Sequence, residues 1–216
     1  MKLFKLLLLL NIGIFSGFSQ NNNEFYFSYY NLLSTSYYTN FKINETLENT
    51  GVGKLIPFTA QTAIGIDMRV NHIDINLDLG VGAMLSKNIK TSSMQSNLGI
   101  GYYFDLKNED YLTLGGNISY HLINLDAYIQ KGSIDFLNNT VNNSTSFSMS
   151  TMQFMIGPMV KFEDDWYMIS IGYDFGIIPM YWKSNNMVIA NNYKERMDRI
   201  HIDYIIKFWT KTFKIQ

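Results

Sequence analysis

Polar and apolar residues alternate along most of this chain, as they do in a β-strand with one polar and one apolar face. In the longest alternating stretch, 72–85, the apolar face carries Ile73, Ile75, Leu77, Leu79, Val81, Ala83 and Leu85, and the polar face carries Asp74, Asn76, Asp78, Gly80 and Gly82. The preceding stretch, Phe58–Val70, alternates in the same way. The pattern predicts two neighbouring strands joined at the polar pair Asn71-His72.

Further alternating stretches bring the predicted number of strands to eight. Five are clear and one, near the start, is weaker and aromatic; they lie at 97–106, 112–122, 151–162, 167–177, 200–208 and 25–33. The connections between strands are alternately short and long. The short ones are 71–72, 107–110 and 163–165, and the long ones are 34–56, 86–93, 126–144 (with a low-complexity tip at 138–143) and 181–194. Short turns at one end and long loops at the other are typical of an outer-membrane barrel, with turns periplasmic and loops extracellular.

The first twenty residues have the layout of a secretory signal peptide. Lys2 and Lys5 precede an apolar run at 6–15, and the small residues Gly17 and Ser19 follow it. The run is too short for a membrane helix, which needs about twenty apolar residues. We therefore predict a signal peptide at 1–19, cleaved after Ser19, and one barrel domain at 20–216.

Composition favours a membrane protein built from strands. Charged residues make up 16% of the chain, against about 25% in soluble domains. No second apolar run is long enough for a membrane helix, so any membrane span must consist of strands. Cysteine is absent, which excludes disulfides and thiolate metal sites. Removing Lys2 and Lys5 changes the net charge from −1 to −3, so nothing indicates a nucleic-acid partner.

A soluble barrel also alternates, but its polar face would be rich in Lys and Glu. Here that face is rich in Gly, Asn and Ser, which suit the narrow interior of an eight-stranded tube. Aromatic residues lie near the strand ends on the apolar face, as in interfacial girdles: Tyr102, Phe104, Phe162, Tyr167 and Phe208. The fold class predicted is all-β, a single up-and-down antiparallel transmembrane β-barrel of about eight strands.

This architecture resembles the small eight-stranded OmpA-transmembrane and OmpX-like outer-membrane proteins. The Ser19-Gln20 context and the Asn-, Ile- and Tyr-rich chain look like the versions made by Bacteroidota. The last strand is similar to the signal read by the barrel-assembly machinery, with alternate residues Ile202, Tyr204, Ile206 and Phe208. The chain continues past Phe208, so either Phe208 or Phe213 ends that signal. The resemblance implies a location in the cell outer membrane, with outer-membrane lipid and the assembly machinery as partners.

The polar face collects ionisable residues that we predict to lie in the lumen: Asp67, Arg69, Asp74, Asp78, Asp105, His121, Lys161, Asp174, His201, Asp203 and Lys207. One interpretation is a structural network of ion pairs, because buried charges must be paired. The other is a gated ion path or a proton-sensitive plug, with the histidines titrating near neutral pH. The structural interpretation is favoured because eight strands leave no aqueous channel.

No motif for an enzyme, cofactor or metal site stands out. The sequences Gly80-Val81-Gly82 and Gly99-Ile100-Gly101 lie inside strands and open no helix, so they indicate close packing on the lumen face. Ser119 and His121 share a strand face about 7 Å apart, too far for direct contact. The lipid A deacylase pattern also places its Ser after the His, on the lipid side. We therefore predict no catalytic, cofactor or metal residues.

The expected function is a structural or interaction role in the outer membrane. The loops 34–56 and 126–144 are long enough to bind a partner outside the cell, or they are solvated loops without one. An alternative is a membrane subunit of a larger envelope secretion or assembly complex. A third is a lipid A-modifying barrel enzyme.

Overall fold

The computed structural model describes residues 24–39, 41–49, 52–84, 86, 89–106, 110–130, 133–135, 140–142, 145–184, 186–189, 192 and 194–214. The predicted signal peptide at 1–19 and its cleavage position lie outside the described residues. Within those residues, no helix is long and apolar enough to cross a membrane.

Strands dominate the described chain, and one short helix, α1 (Ile43–Asn49), follows the first of them. The strands are β1 (Glu24–Thr39), β2 (Phe58–Val70), β3 (Ile73–Met84), β4 (Ile89–Asp105), β5 (Tyr111–Gln130), β6 (Ser133–Asp135), β7 (Thr140–Asn142), β8 (Thr145–Glu163), β9 (Tyr167–Gly176), β10 (Met180–Tyr181), β11 (Lys194–Glu195) and β12 (Asp198–Lys214). The pairs β6–β7 and β10–β11 are small separate ribbons within the loops.

Eight of the described strands close into a ring in the order β1-β12-β9-β8-β5-β4-β3-β2. Every neighbouring pair is antiparallel, and β1 closes the ring by pairing with both β2 and β12. A closed sheet leaves no unpaired edge, which is the condition for strands to cross a lipid bilayer. The predicted fold class, an eight-stranded up-and-down antiparallel barrel, is confirmed.

The alternation in the sequence corresponds to the two faces of this wall. Ile64 and Leu79 are 68% and 60% exposed on the outside, whereas Asp67 and Asp78 are buried inside. A soluble protein of this kind would hide the apolar face and expose the polar one. The reversed arrangement places an apolar band against lipid and a polar interior inside the tube.

Aromatic rings form contacts on the outside at both rims. Tyr102 and Phe104 have ring centroids 5.0 Å apart near the end that carries the β2–β3, β4–β5 and β8–β9 connections, called the turn end below. Tyr120 and Phe154 are also 5.0 Å apart, at the middle of β5 and β8 and on the side of the apolar band that faces the opposite end, called the loop end. Paired rims of this kind are the aromatic girdles expected at the two membrane–water interfaces.

Small residues let the backbones and large polar side chains fit inside the narrow tube. A Cβ atom built on Gly99 would lie 1.9 Å from Oδ1 of Asn76, and one on Gly82 would lie 2.2 Å from Cγ of Gln61. The predicted close packing at the lumen-facing glycines is therefore confirmed. The tightest case is Gly157, where a Cβ would lie 1.7 Å from the backbone oxygen of Tyr173.

Replacing Gly157 by Ala is expected to lower the free energy of unfolding by about 1–3 kcal/mol, because the blocking atom is backbone and cannot rotate away. Gly116→Ala is the matched control on the neighbouring strand, since its nearest atom is 3.3 Å away. Urea unfolding in detergent micelles measures both. Equal stability of the two variants would contradict this packing.

Five strands run further than the sequence predicted: β1, β4, β5, β8 and β12. The long loop predicted at 34–56 contains the end of β1 and the helix α1. The loop predicted at 86–93 contains the start of β4, and the loop predicted at 126–144 contains the end of β5 and the ribbon β6–β7. The reason lies in a reversal of pattern. Beyond Leu122, the apolar Ile123 and Leu125 face inward and are buried, while Asn124 and Asp126 face outward. A strand that leaves the membrane takes the polarity of a soluble strand.

Two details of the strand ends also differ from the prediction. Glu163 was placed in a turn, but it is the last residue of β8 and its side chain is buried. Between β1 and β12, Tyr29 pairs with Trp209 and Tyr30 with Lys207, so Phe208 is the extra residue of a β-bulge in β12. The strand continues to Lys214, and both Phe208 and Phe213, the two candidate ends of the assembly signal, are exposed.

Candidate functional site

The turn-end half of the lumen holds a cluster of fully buried charges centred on Lys161. Its ammonium lies 2.7 Å from Oδ1 of Asp67, 2.6 Å from Oδ2 of Asp74 and 3.7 Å from Oε2 of Glu163. The hydroxyl of Thr113 also donates to Asp74, at 2.6 Å. The strands β2, β3, β5 and β8 supply these side chains, so the lysine ties together strands that are far apart in sequence.

Two further cations complete this turn-end cluster. Arg69 Nη2 lies 2.7 Å and Lys207 Nζ 2.6 Å from the same oxygen, Oε1 of Glu163. The guanidinium of Arg69 also stacks on aromatic rings, at 3.7 Å from the Tyr26 centroid and 4.2 Å from that of Tyr111. Three carboxylates therefore face three cations, and the cluster is balanced in charge.

The carboxylates of Asp67, Asp74 and Glu163 come close enough to suggest a metal site. Their oxygens lie within 4.8 Å of one another. The ammonium of Lys161 already contacts all three, however, and Arg69 and Lys207 contact Glu163. These side-chain cations neutralise the three carboxylates, as a metal ion would, so the geometry is that of a salt-bridge cluster.

A second, central cluster lies toward the loop end around Arg199 and Asp174. Arg199 donates to Oδ2 of Asp174 through both Nε and Nη2, and its Nη1 donates to Gln95 at 2.9 Å. His201 Nδ1 lies 2.8 Å from Oδ2 of Asp203. Asp174 also accepts from the amide of Asn117 at 2.7 Å. Side chains from four strands thus meet across the tube.

Most of the residues that we predicted from sequence to line the lumen are placed there. The turn-end cluster takes Asp67, Arg69, Asp74, Lys161 and Lys207, and the central region takes Asp78, His121, Asp174, His201 and Asp203. Asp105 is the exception. Asp105 alternates in step with the lumen-facing residues of β4, but it is the last residue of that strand. It is exposed at the turn end, because the strand there has left the barrel interior.

Sequence reasoning missed Glu163 and Arg199, which hold the two clusters together. Each continues the polar face of its strand, because Glu163 is two residues from Lys161 and Arg199 is two residues from His201. The alternation of inward and outward residues alone places both side chains in the lumen. The polar run 163–165 is typical of a turn, which hides Glu163, and Arg199 lies just before the alternating stretch 200–208.

The loop end of the lumen is filled by a small apolar core instead of charges. The helix α1 packs there against inward-facing residues of β4, β5 and β8 and against Trp182. The core consists of Ile43, Leu47, Val52, Leu55, Ile89, Leu125, Ala127, Phe147 and Trp182. We call this core together with α1 the cap.

One carboxylate ties the cap together. The side chain of Glu195 is buried and accepts hydrogen bonds from the backbone amides of Lys42 (2.6 Å) and Ile43 (3.1 Å) and from Nε1 of Trp182 (3.0 Å). Its backbone oxygen accepts a bond from Gln153 in β8, at 2.8 Å. Burial raises the pKa of Glu195, while the three donors act in the opposite direction. Glu195 therefore links the β1–β2 loop, the β9–β12 loop and the wall.

The pair Ser119 and His121 does not form a catalytic arrangement. The hydroxyl of Ser119 approaches Oδ2 of Asp174 at 3.4 Å, and Nδ1 of His121 is 3.0 Å from the hydroxyl of Tyr38. Each therefore has a different partner. Both face the lumen, as the sequence predicted.

These features define a class of protein. A closed eight-stranded ring, an apolar outer band with aromatic rims and an interior that contains paired charges constitute a transmembrane β-barrel.

No protein-family model and no curated protein matches the chain. Among solved structures, Neisserial surface protein A is 12% identical, with a TM-score of 0.45 over 85% of this chain and 97% of that protein. The attachment invasion locus protein Ail of Yersinia pestis is 10% identical, with a TM-score of 0.41 over 87% of this chain and 100% of that one. The outer membrane protein AlkL is 11% identical, with a TM-score of 0.43 over 90% and 92%. The similarity is one of barrel fold.

Proposed function

We propose that this chain is an integral outer-membrane barrel with a structural or interaction role, performed at its loop end and not by transport through its lumen. The observation that carries the proposal is the filled interior. Lys161 is wholly buried among three carboxylates, and the cap closes the opposite half. We place the turns in the periplasm and the loops outside the cell, in keeping with the lengths of the connections.

An exposed apolar pair of residues at the loop end supports an interaction role. Met187 and Val188 are 52% and 96% exposed. The segment is held to the wall, because Ser184 Oγ accepts from the amide of Met187 at 3.2 Å and donates to the backbone oxygen of Ser148 at 2.6 Å. Apolar side chains that a fixed turn holds in water are suited to burial against a partner protein.

Photo-crosslinking in intact cells tests this role. A crosslinking amino acid at Val188 is expected to give one discrete adduct with an envelope or surface protein. The same group at Ser146, which is exposed on the wall at the loop end, is the control and should give none. Adducts at neither position, or the same adducts at both, would contradict an interaction through this turn.

A second candidate is a membrane subunit of a larger envelope complex with its partner at the turn end. Trp166, between β8 and β9, is 77% exposed, and its backbone oxygen accepts from the amide of Lys207 at 3.1 Å. Extraction in mild detergent separates the two candidates. A stoichiometric partner that Trp166→Ala releases supports the subunit role, and a barrel that purifies alone supports the first candidate.

We further propose that the chain is not an enzyme. The separate partners of Ser119 and His121 support this, as does their position inside the tube, away from lipid substrates. The lipid A mass spectrum of a deletion strain should match that of its parent. A change in acyl number or phosphate content would favour the lipid A-modifying alternative.

A further inference from the structure

A cavity of about 270 Å³ lies on the outside of the barrel at the loop-end rim. Its walls include Leu122 and Met152 from β5 and β8, and Met180, Tyr181 and Lys183 from the segment after β9. Leu122 and Met152 pair directly across the two strands and both face outward. The cavity is therefore separate from the lumen and opens toward the surroundings of the barrel.

The segment after β9 makes the cavity by running along β8 with extra residues. The amide of Ile177 donates to the oxygen of Phe154 at 2.8 Å, and Ser150 and Lys183 exchange backbone bonds of 2.7 and 2.8 Å. Between Ile177 and Lys183 the segment has five residues, whereas β8 has three residues between Phe154 and Ser150. Trp182 is buried in the cap, and Met180 and Tyr181 line the cavity together with Leu122 and Met152.

The depth of the cavity coincides with the membrane boundary that the wall itself defines. The girdle pair Tyr120 and Phe154 lies one outward position closer to the turn end than Leu122 and Met152. One outward position further, the wall becomes polar, with Asn124 opposite Ser150. An amphiphile in the cavity would have its apolar part level with the girdle and its polar part in the headgroup region.

Positive charge flanks the polar side of the cavity. Lys183 lies opposite Ser150 and is exposed on the same outer face. Lys194 pairs with Tyr181, and its ammonium lies 5.4 Å from the centre of that ring. Neither lysine takes part in an ion pair with another described residue. On the adjoining wall, the carboxylate of Asp126 accepts a hydrogen bond from the hydroxyl of Ser148.

We propose that this cavity is a binding site for one phosphate-bearing, acylated lipid of the outer leaflet. An acyl chain lies against Leu122, Met152 and Met180, and the phosphate lies between the ammonium groups of Lys183 and Lys194. Apolar contact and charge attraction act together at this depth, because basic side chains near the membrane surface attract anionic lipid. The site rests on the proposed insertion of the barrel in the outer membrane.

Native mass spectrometry of the folded full-length barrel tests the site. Detergent-solubilised protein is titrated with dimyristoylphosphatidylglycerol and, separately, with the zwitterionic dimyristoylphosphatidylcholine. We expect one retained anionic lipid per barrel, bound about tenfold more tightly than the zwitterionic one. The double variant Lys183→Gln with Lys194→Gln should remove this preference. Met152→Trp, which fills the cavity, should weaken binding of both lipids.

Lys90→Gln is the matched control, because Lys90 is an exposed lysine on the outer face of β4, beside the ring of Tyr128, and does not line the cavity. It should keep the preference. Equal binding of the two lipids, an equal effect of Lys90→Gln, or displacement of the lipid by glycerol 3-phosphate would each overturn the proposal. A shift of the protein band on heating before electrophoresis is recorded first, so failure to form the barrel is distinguished from failure of the site.

Discussion

Lys161→Ala is expected to lower the free energy of unfolding of the barrel by about 3–5 kcal/mol, the largest effect of any single substitution considered for the lumen. The ammonium contacts Asp67, Asp74 and Glu163, and all of these groups are buried. Removing it leaves carboxylates without sufficient counter-charge in a narrow interior, where solvation cannot replace the lost partner. Urea unfolding in detergent micelles, followed by tryptophan fluorescence, gives the change in free energy.

A charge-neutral combination separates this electrostatic cost from loss of packing. Lys161→Met together with Asp74→Asn removes one cation and one anion while keeping side-chain volume close to that of the wild type, and it leaves Asp67 and Glu163 facing Arg69 and Lys207. It should recover most of the lost stability, because the unpaired charges have gone. Lys211→Ala, at an exposed position over the ring of Phe213, should change stability by less than about 1 kcal/mol. A loss as small for Lys161→Ala would show that the turn-end cluster does not stabilise the barrel.

Glu195→Ala is expected to open the cap. The backbone amides of Lys42 and Ile43 and the indole of Trp182 would all lose their acceptor. Hydrogen bonds to a charged group contribute about 1.5–3 kcal/mol each, so hydrogen exchange at the start of α1 should accelerate by at least about tenfold. Amides of β3, in the wall, should exchange as in the wild type. Unchanged exchange in α1 would show that Glu195 does not hold the cap.

The same residue predicts a pH dependence. Because burial raises the pKa of Glu195 above its ordinary value of 4.5, this group contributes stability that is fully present below pH 4.5 and is lost as the pH rises through the pKa of the folded cap. Protection factors of the α1 amides, corrected for intrinsic exchange, should therefore fall over that range in the wild type. In Glu195→Gln the fall should be absent, and an identical fall in both proteins would contradict the assignment.

The membrane-embedded wall could be predicted from sequence because lipid outside and a polar lumen inside impose opposite demands on successive residues. In β3, every residue from Ile73 to Gly82 follows that rule, and the strand was placed correctly. The cap could not be predicted in this way. Where β5 leaves the membrane, Ile123 and Leu125 face inward and the polarity of the two faces reverses. The stretch therefore no longer fits the membrane-strand pattern of apolar residues outside and polar residues inside, and it is predicted as a loop.

The lumen site could be predicted only in part, because the alternation of polar and apolar residues has the same limits there. Alternation assigns a residue to the lumen, but it gives neither its partner nor the end of the interior. Asp105 therefore shares the parity of the lumen residues although it lies in the exposed end of β4. Arg199 pairs directly with Asp174 on the neighbouring strand β9, whereas its contact with Gln95 of β4 crosses the lumen and depends on the closed ring. The pairing of charges is a property of the barrel, not of any one strand.

Conductance in planar lipid bilayers tests the central claim, a closed lumen, most directly. The wild-type barrel is expected to insert without producing stable open steps at neutral pH, because the turn-end cluster, the central cluster and the cap fill the tube along its length. Insertion is verified in the same membranes by protease protection of the strands. Stable, ohmic steps from inserted wild-type protein would contradict the account and would restore the gated ion path as the function of the lumen charges.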